Sequence, residues 1–356
     1  MFATLREKWP GRGLSHRVGT PCASEILGSV ARDGLMPGFV RGTRIAVCLV
    51  TLVTRQRLAS DPKGATVKIA RILCPIDFSE TSAHAVAEAV TVARYYKGRI
   101  TALHVLGPVE PTAEGLSVER VRQDAEAFCE AAVASGIALD VLVDVGEPAR
   151  HILDRAAALP ADLIVMGTHG AGGFEHLMLG SVTEKVVRRA RCPVLTVPPR
   201  DRGQSPLPFR RLLCAVDFSE ASLSAVSTAL SFARESGAHL TLLHVLEWPW
   251  HEPPPPAMSD LPAAQAAALA EFRRYSEESA RKRLESLVPN SDPVSRVTTR
   301  LASGKPHVEL LDVATAEQSD LIIMGVQGRN ALDVALFGST TNQVVRRAAC
   351  PVLTLR

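Results

Sequence analysis

The sequence has few aromatic side chains: Phe, Trp and Tyr make up only 4% of its 356 residues. Hydrophobic residues nevertheless reach 46%, so the core is expected to consist mainly of Val, Leu, Ile and Ala. Aliphatic runs of this kind are typical of buried parallel strands that pack against helices.

Long apolar runs and a strong net charge are also missing. The longest apolar run near the N-terminus, Ile45–Val53, falls short of the roughly 18 residues that a membrane-spanning helix needs. The net charge of +3 is too small to predict binding to nucleic acid or to a membrane surface. We therefore expect neither partner.

The seven cysteines show no zinc-ligand spacing and no pattern of a secreted disulfide framework. Four of them lie inside or beside strand-like apolar runs, which indicates buried thiols: Cys74, Cys192, Cys214 and Cys350. Cys129, on a predicted helix, is the candidate for an exposed thiol. A reducing cytoplasm is the simplest compartment for such a chain.

An internal repeat organises the chain. Residues 72–80 match residues 212–220 at an offset of 140, whereas residues 162–167 and 192–196 match residues 320–325 and 350–354 at an offset of 158. The second copy therefore carries an insertion between Leu246 and Gly304, part of it in the Pro-rich stretch Trp248–Pro262.

These matches predict two domains, residues 67–199 and 209–356, joined by a Pro-rich linker at 200–208. Residues 1–66 carry ten Lys or Arg and four Asp or Glu but no sustained periodicity. We expect them to form a basic leader that is disordered or weakly ordered.

Each copy alternates short apolar strands with helices, which predicts a parallel, doubly wound α/β sheet. In the first copy the predicted strands are 69–76, 100–105, 139–145, 163–166 and 194–197. Predicted helices begin at about Glu80, capped by Ser79, at about Ser117 and at Pro148, and another begins at about Ser181. The second copy has a longer predicted helix, Ala263–Leu287.

A glycine-rich pattern follows the fourth predicted strand of each copy. It reads Gly167-Thr168-His169-Gly170, nine residues, then Gly180-Ser181-Val182, and recurs as Gly325-Val326-Gln327-Gly328, nine residues, then Gly338-Ser339-Thr340. Glycines allow positive φ and a close approach of the backbone to a phosphate, and the helix that follows offers free N–H groups. The nucleotide motifs Gly-x4-Gly-Lys-Ser/Thr and, after the first strand, Gly-x-Gly-x-x-Gly are missing.

The Gly-x2-Gly-x9-Gly-Ser pattern, the Asp-Phe-Ser after strand one, the Leu-His-Val of strand two and the terminal Cys-Pro-Val-Leu together resemble the universal stress protein family. The resemblance covers about residues 68–198 and 209–356. It implies two Rossmann-like domains, each with five parallel strands in the order 3-2-1-4-5. Because members often dimerise through the last strand, it also implies an internal pseudo-dimer that pairs Val194–Val197 with Val352–Leu355.

The resemblance further implies that each domain binds ATP, with or without Mg2+. The implied contacts are an aspartate near ribose and adenine, a backbone contact to adenine in strand two, and the Met-Gly and Gly-Ser segments around ribose and phosphates. In the first domain these are Asp77, Val105, Met166, Gly167, Gly170, Gly180, Ser181 and Val182, and in the second Asp217, Val245, Met324, Gly325, Gly328, Gly338, Ser339 and Thr340.

The function implied is an ATP-binding protein of stress response or signalling, with an unknown protein partner and scope for homo-oligomers. Two alternatives remain: a nucleotide-free interaction module of the same fold, and a slow ATPase or autophosphorylating enzyme. The sequence offers no defined general base, so catalysis is disfavoured. Asp77 and Asp217 could act only as helix-capping acids, and His104 and His244 are expected to be packed rather than catalytic.

Overall fold

A computed structural model describes residues 67–107, 118–169, 179–199, 208–247, 262–288, 296–326 and 338–356. The predictions for residues 1–66 and for most of the linker lie outside these ranges. We call the described parts of residues 67–199 lobe 1 and those of residues 208–356 lobe 2.

Lobe 1 alternates strands and helices along the chain. Its strands are β1 Arg71–Ile76, β2 Arg99–Leu106, β3 Leu139–Val145, β4 Leu163–Gly167 and β5 Val194–Val197. Its helices are α1 Glu80–Tyr96, α2 Val118–Phe128, α3 Glu130–Ala134, α4 Pro148–Ala158 and α5 Ser181–Arg189. The continuous second helix predicted from about Ser117 is interrupted at Cys129, which separates α2 from α3.

Lobe 2 repeats this arrangement with a single long helix in place of α2 and α3. Its strands are β6 Arg211–Ala215, β7 His239–Leu246, β8 Arg296–Ser303, β9 Leu321–Gly325 and β10 Val352–Leu355. Its helices are α6 Glu220–Ser236, α7 Ala263–Glu285, α8 Pro306–Ala316 and α9 Ser339–Arg347.

Local chemistry sets the helix ends. The Ser79 hydroxyl accepts a hydrogen bond from Ser82 N–H and caps α1, as predicted, and Ser219 caps α6 in the same way. Helix α6 ends at Gly237 in the left-handed region, with φ of 66°. Pro148 opens α4, where its missing N–H has no helical partner to lose.

The strands form one ten-stranded sheet in the order β3-β2-β1-β4-β5-β10-β9-β6-β7-β8. Within each lobe the pairing is parallel and follows the order 3-2-1-4-5, which confirms the predicted fold class.

The lobes join through an antiparallel pairing of β5 with β10. Leu195 lies opposite Leu353, its equivalent in the repeat, so a pseudo-twofold axis passes between them. The Thr196 hydroxyl donates to Val352 O and the Thr354 hydroxyl to Val194 O, at 3.2 and 3.1 Å. The strand pairing of the predicted pseudo-dimer is thus present within one chain.

The two faces of the sheet bury different cores. On the face covered by α1 and α6, buried side chains of both lobes form one continuous cluster. On the opposite face there are two separate clusters, one mainly of lobe 1 with Val326 added and one mainly of lobe 2 with Leu179 packed against it. Among the described residues, no helix combines the length and the hydrophobicity that a membrane span requires.

Candidate functional site

Most of the predicted site residues come together where the strand order reverses, between β1 and β4. Ile76 lies opposite His104 in β2, so Asp77 and Val105 follow at the same level of the sheet. Gly167 ends the neighbouring strand β4. Ligands of open α/β sheets bind at the carboxyl ends of the strands beside such a reversal. Asp217, Val245 and Gly325 occupy the equivalent places in lobe 2.

The carboxylates of Asp77 and Asp217 are held by the serine two residues further on. Asp77 Oδ1 accepts hydrogen bonds from Ser79 N–H at 3.1 Å and from the Ser79 hydroxyl at 2.5 Å. Asp217 accepts the same pair from Ser219 at 2.9 and 2.5 Å. Each aspartate therefore orders the capped start of a helix, although the caps themselves are Ser79 and Ser219.

Sequence reasoning missed the residue beside each aspartate. Phe78 and Phe218 adopt φ of 63° and 62°, a left-handed conformation that is uncommon for a bulky side chain. The ring of Phe78 lies 4.5 Å from that of His104, and the ring of Phe218 lies 4.6 Å from that of His244. The repeated Asp-Phe-Ser was the available signal, because strained backbone that recurs in both copies suggests a functional constraint.

The two strand-two histidines are packed and hydrogen-bonded. His104 Nδ1 donates to Ile76 O at 2.9 Å, and His244 Nδ1 donates to Val216 O at 2.6 Å. These bonds tie the end of strand two to the end of strand one in each lobe. They leave the histidines in a positioning role, as the strand context predicts.

The glycines that end β4 and β9 lie against the first turn of the neighbouring helix. A Cβ at Gly167 would lie 3.1 Å from the Thr81 carbonyl oxygen, and one at Gly325 would lie 2.9 Å from backbone atoms of Ala221 and Ser222. Neither Gly167, Gly325, Gly180 nor Gly338 has a positive φ. The prediction of positive φ is therefore wrong for these four glycines. At Gly167 and Gly325, glycine is required because the strand end lies too close to the neighbouring helix to leave room for a Cβ.

The start of α5 is fastened to the end of β4. Gly180 N–H donates to Thr168 O at 2.9 Å, and the buried Thr183 hydroxyl donates to Gly167 O at 2.9 Å. In lobe 2 the equivalent bonds run from Gly338 N–H to Val326 O and from the Thr341 hydroxyl to Gly325 O, at 3.3 and 3.0 Å. These bonds place Gly180 and Gly338 beside the ends of β4 and β9.

Helices α5 and α9 begin without a side-chain cap, unlike α1 and α6. Their first residues, Ser181 and Ser339, are exposed, and Val182 and Thr340 are half-buried. An uncapped helix start presents N–H groups and a partial positive charge to whatever lies in front of it. This arrangement suits an anion.

Four of the predicted site residues need separate comment: two have buried side chains, and two are not described by the structure. The side chains of Met166 and Met324 are buried in the core, so their backbone is the part that can face a ligand. Gly170 and Gly328 lie outside the described residues.

The two lobes differ where the chain leaves strand four and enters the glycine-rich loop. In lobe 1 the Thr81 hydroxyl donates to His169 O at 2.6 Å. Lobe 2 has Ala221 at the position of Thr81, so this bond has no counterpart there. The described start of the lobe 1 loop therefore has a polar anchor to α1 that lobe 2 lacks.

A charged cluster in lobe 1 joins Asp144, near the end of β3, to two residues of α4. Arg155 forms a bidentate hydrogen-bonded pair with Asp144 at 2.7 and 2.5 Å, and His151 Nδ1 lies 3.3 Å from the same carboxylate. The hydrogen bonds from Arg155 lower the pKa of Asp144. Lobe 2 has Ala302 and Val313 in place of Asp144 and Arg155.

Four of the described thiols have pKa values that burial raises. Burial raises the pKa of Cys74 and Cys214 far above the usual thiol range, and raises that of Cys129 and Cys192 to about 11. The expectation of an exposed Cys129 is wrong, because its side chain packs in the core beneath α1. Within the described ranges, no three His, Cys, Asp or Glu side chains come together as metal ligands.

Comparison with known proteins gives one family. The sequence model described as "Universal stress protein family" matches residues 68–198 and 208–356. A universal stress protein of Mycolicibacterium smegmatis is 28% identical over 304 residues, which covers 80% of this chain and 96% of that protein. A shorter one of Thermus aquaticus is 38% identical over 132 residues, 35% of this chain and 96% of its own length.

The fold agrees with solved structures. The crystal structure of a universal stress protein from Archaeoglobus fulgidus superposes with a TM-score of 0.57 at 24% identity, over 80% of this chain and 98% of that one. Since the family model matches well over half of the residues, in two tandem copies, the chain belongs to the universal stress protein family.

Proposed function

We propose that each lobe binds one ATP at the carboxyl ends of its strands, and that nucleotide occupancy serves a role in stress response or signalling. The observation that carries the proposal is that α5 and α9 begin without a side-chain cap. In both lobes the same two hydrogen bonds hold this helix start against the end of strand four.

The phosphates would lie before α5 and α9. There the N–H groups of Ser181 and Val182 face outward from the first turn, and the exposed Ser181 hydroxyl can donate to a phosphate oxygen. Ser339 and Thr340 supply the same groups in lobe 2. A Cβ at Gly180 would approach Thr168 O to 3.3 Å, so glycine keeps this corner narrow and the backbone accessible.

The nucleoside would lie between the ends of β1 and β2. Asp77, fixed by Ser79, can accept a hydrogen bond from a ribose hydroxyl, and the backbone of Val105 can contact adenine. The mainly apolar surroundings of Val105, beside the buried Leu103, suit a purine ring. Mg2+ would be held chiefly by the phosphates, as is usual for this ion, since the described residues offer no ready-made metal site.

The proposed setting is the cytoplasm, because the described cysteines form no disulfide and four of these five are buried. Nucleotide-dependent association with a protein partner, or with further copies of the chain, would pass on the signal. Hydrolysis is not part of the proposal.

Isothermal titration of ATP into the full chain tests the sites one at a time. Ser181→Glu places a carboxylate where the phosphates would lie, yet an acidic residue in the first turn favours a helix, so the fold should persist. A unit charge ~4 Å from a phosphate repels it by about 4 kcal/mol at an effective dielectric constant near 20, enough for a loss of affinity above about 100-fold.

The neutral variant Ser181→Gln is the matched control, and Ser339→Glu repeats the test in lobe 2. We expect each Glu variant to lose the nucleotide of its own lobe and each Gln variant to keep it. Wild-type protein that binds no ATP would refute the proposal and favour the nucleotide-free module. Equal binding by Ser181→Glu and Ser181→Gln would show that the phosphates lie elsewhere.

A further inference from the structure

A cavity of about 260 Å³ lies on the pseudo-twofold axis, on the sheet face covered by α1 and α6. Its lining includes pairs of residues that are equivalent in the repeat: Leu163 with Leu321, Leu195 with Leu353, and Val92 with Phe232. Both lobes thus build it together, and a single lobe would provide only half of this lining.

The cavity exists because each of the two helices packs over the strands of its own lobe. Helix α1 covers β1, β4 and β5, and helix α6 covers β6, β9 and β10. The helices meet near their C-terminal ends, where the Tyr96 ring lies edge-on to Phe232 and the Tyr96 hydroxyl bonds to Glu235. Glu235 also accepts a hydrogen bond from the N–H of Val67, which is itself a lining residue.

The polar groups in the lining are few and specific. Helix α6 contributes hydroxyls from Ser227, Thr228 and Ser231. Those of Thr228 and Ser231 donate to backbone carbonyls one turn earlier, at 3.1 Å each, so their oxygen lone pairs can accept from a ligand. Asp162 is the acid of the lining, and its carboxylate already accepts hydrogen bonds from Ala70 and Arg71 N–H.

From this lining we infer that the cavity is a binding site for a neutral, mainly apolar small molecule that carries one N–H or O–H donor. Binding pockets commonly lie between domains and combine apolar walls with a few placed polar groups. A cavity of about 150 Å³ holds benzene, so this one has room for a fused two-ring aromatic. The exposed lining residues Lys68 and Ser227 mark its opening.

The site is separate from the proposed nucleotide sites. None of the described residues assigned to ATP above lines the cavity. A ligand here would contact α1, α6 and the β5–β10 pairing at once, so it would stabilise the junction of the lobes.

Titration of indole and of 2-naphthol into the full chain, followed by calorimetry and saturation-transfer NMR, tests the inference. We expect saturable binding of a probe that excess ATP does not displace. Ser231→Phe, which fills the cavity, should weaken that binding by at least about tenfold. Thr91→Phe, at the equivalent position of α1 outside the lining, should leave it unchanged.

Three results would overturn the inference: no saturable binding of either probe, displacement of the probe by ATP, or equal binding by Ser231→Phe and wild type. Circular dichroism and thermal unfolding check that both variants fold. If Ser231→Phe does not, the smaller Ser231→Leu takes its place with the same expected weakening.

Discussion

Gly325, which ends β9, lies against backbone atoms of the first turn of α6, and replacing it with alanine should destabilise lobe 2. The added Cβ would lie 2.9 Å from the Ala221 carbonyl carbon, the Ala221 Cβ and Ser222 N. Because two of these are backbone atoms of the first turn of α6, the helix or the strand must move to relieve the contact.

The structure sets the scale of the effect. Overpacking of a well-packed interior costs about 1–3 kcal/mol of unfolding free energy. Gly167→Ala, whose Cβ would lie 3.1 Å from its nearest neighbours on Thr81, should cost less than Gly325→Ala. Each 1 kcal/mol should lower the melting temperature by about 1.5 °C for a protein of this size.

Urea and thermal unfolding of the two variants measure the difference, with Gly107→Ala as the control. A Cβ at Gly107 would meet none of the described residues within 4 Å, so this substitution should leave stability unchanged or slightly raised. Gly325→Ala that unfolds like wild type, or that is more stable than Gly167→Ala, would refute the packing argument.

Two further predictions concern ionisable groups. Folding lowers the pKa of Asp144 below its ordinary value of 3.8, so the ion pair of Asp144 with Arg155 should stabilise the folded protein at neutral pH. We expect a contribution of about 1 kcal/mol, which is modest because the Arg155 side chain is 40% exposed to solvent. In urea unfolding, the wild-type protein should therefore have a higher free energy of unfolding than Asp144→Asn at neutral pH, and this difference should shrink as the pH falls below 3.8. An undiminished difference at about pH 3 would contradict the predicted role of the ion pair. Among the described cysteines, disulfide-exchange reagents should leave the buried Cys74 unmodified in native protein and react first with the half-buried Cys192, faster as the pH rises toward its pKa of about 11. Rapid reaction of Cys74 in the folded chain would show that lobe 1 opens readily.

Much of the fold could be read from local sequence patterns. Ser79 and Pro148 marked helix starts because capping and proline geometry act over a few residues. The repeat placed equivalent strands in both copies without any knowledge of their partners. The break at Cys129 could not be read in this way, because the alanine-rich residues on either side favour an unbroken helix.

The residues of the candidate site could be proposed from sequence motifs, but the backbone conformation at these residues could not. Glycine at position 325 signalled a special backbone, yet the reason is a helix turn from Ala221 that is distant in sequence, rather than a positive φ. The left-handed Phe78, packed against His104, runs against the preference of a bulky residue and so could not be expected from propensity.

By itself the sequence determined the two α/β lobes, their strand order through the family resemblance, and the residues that end each strand beside the proposed nucleotide. The resemblance also predicted that the last strands of the two lobes pair, whereas only the tertiary structure decided what lies between α1 and α6. The cavity of Leu195 and Leu353 arises from the β5–β10 pairing together with the spacing of α1 and α6. Such a space depends on contacts between residues more than 150 positions apart, which no local pattern encodes.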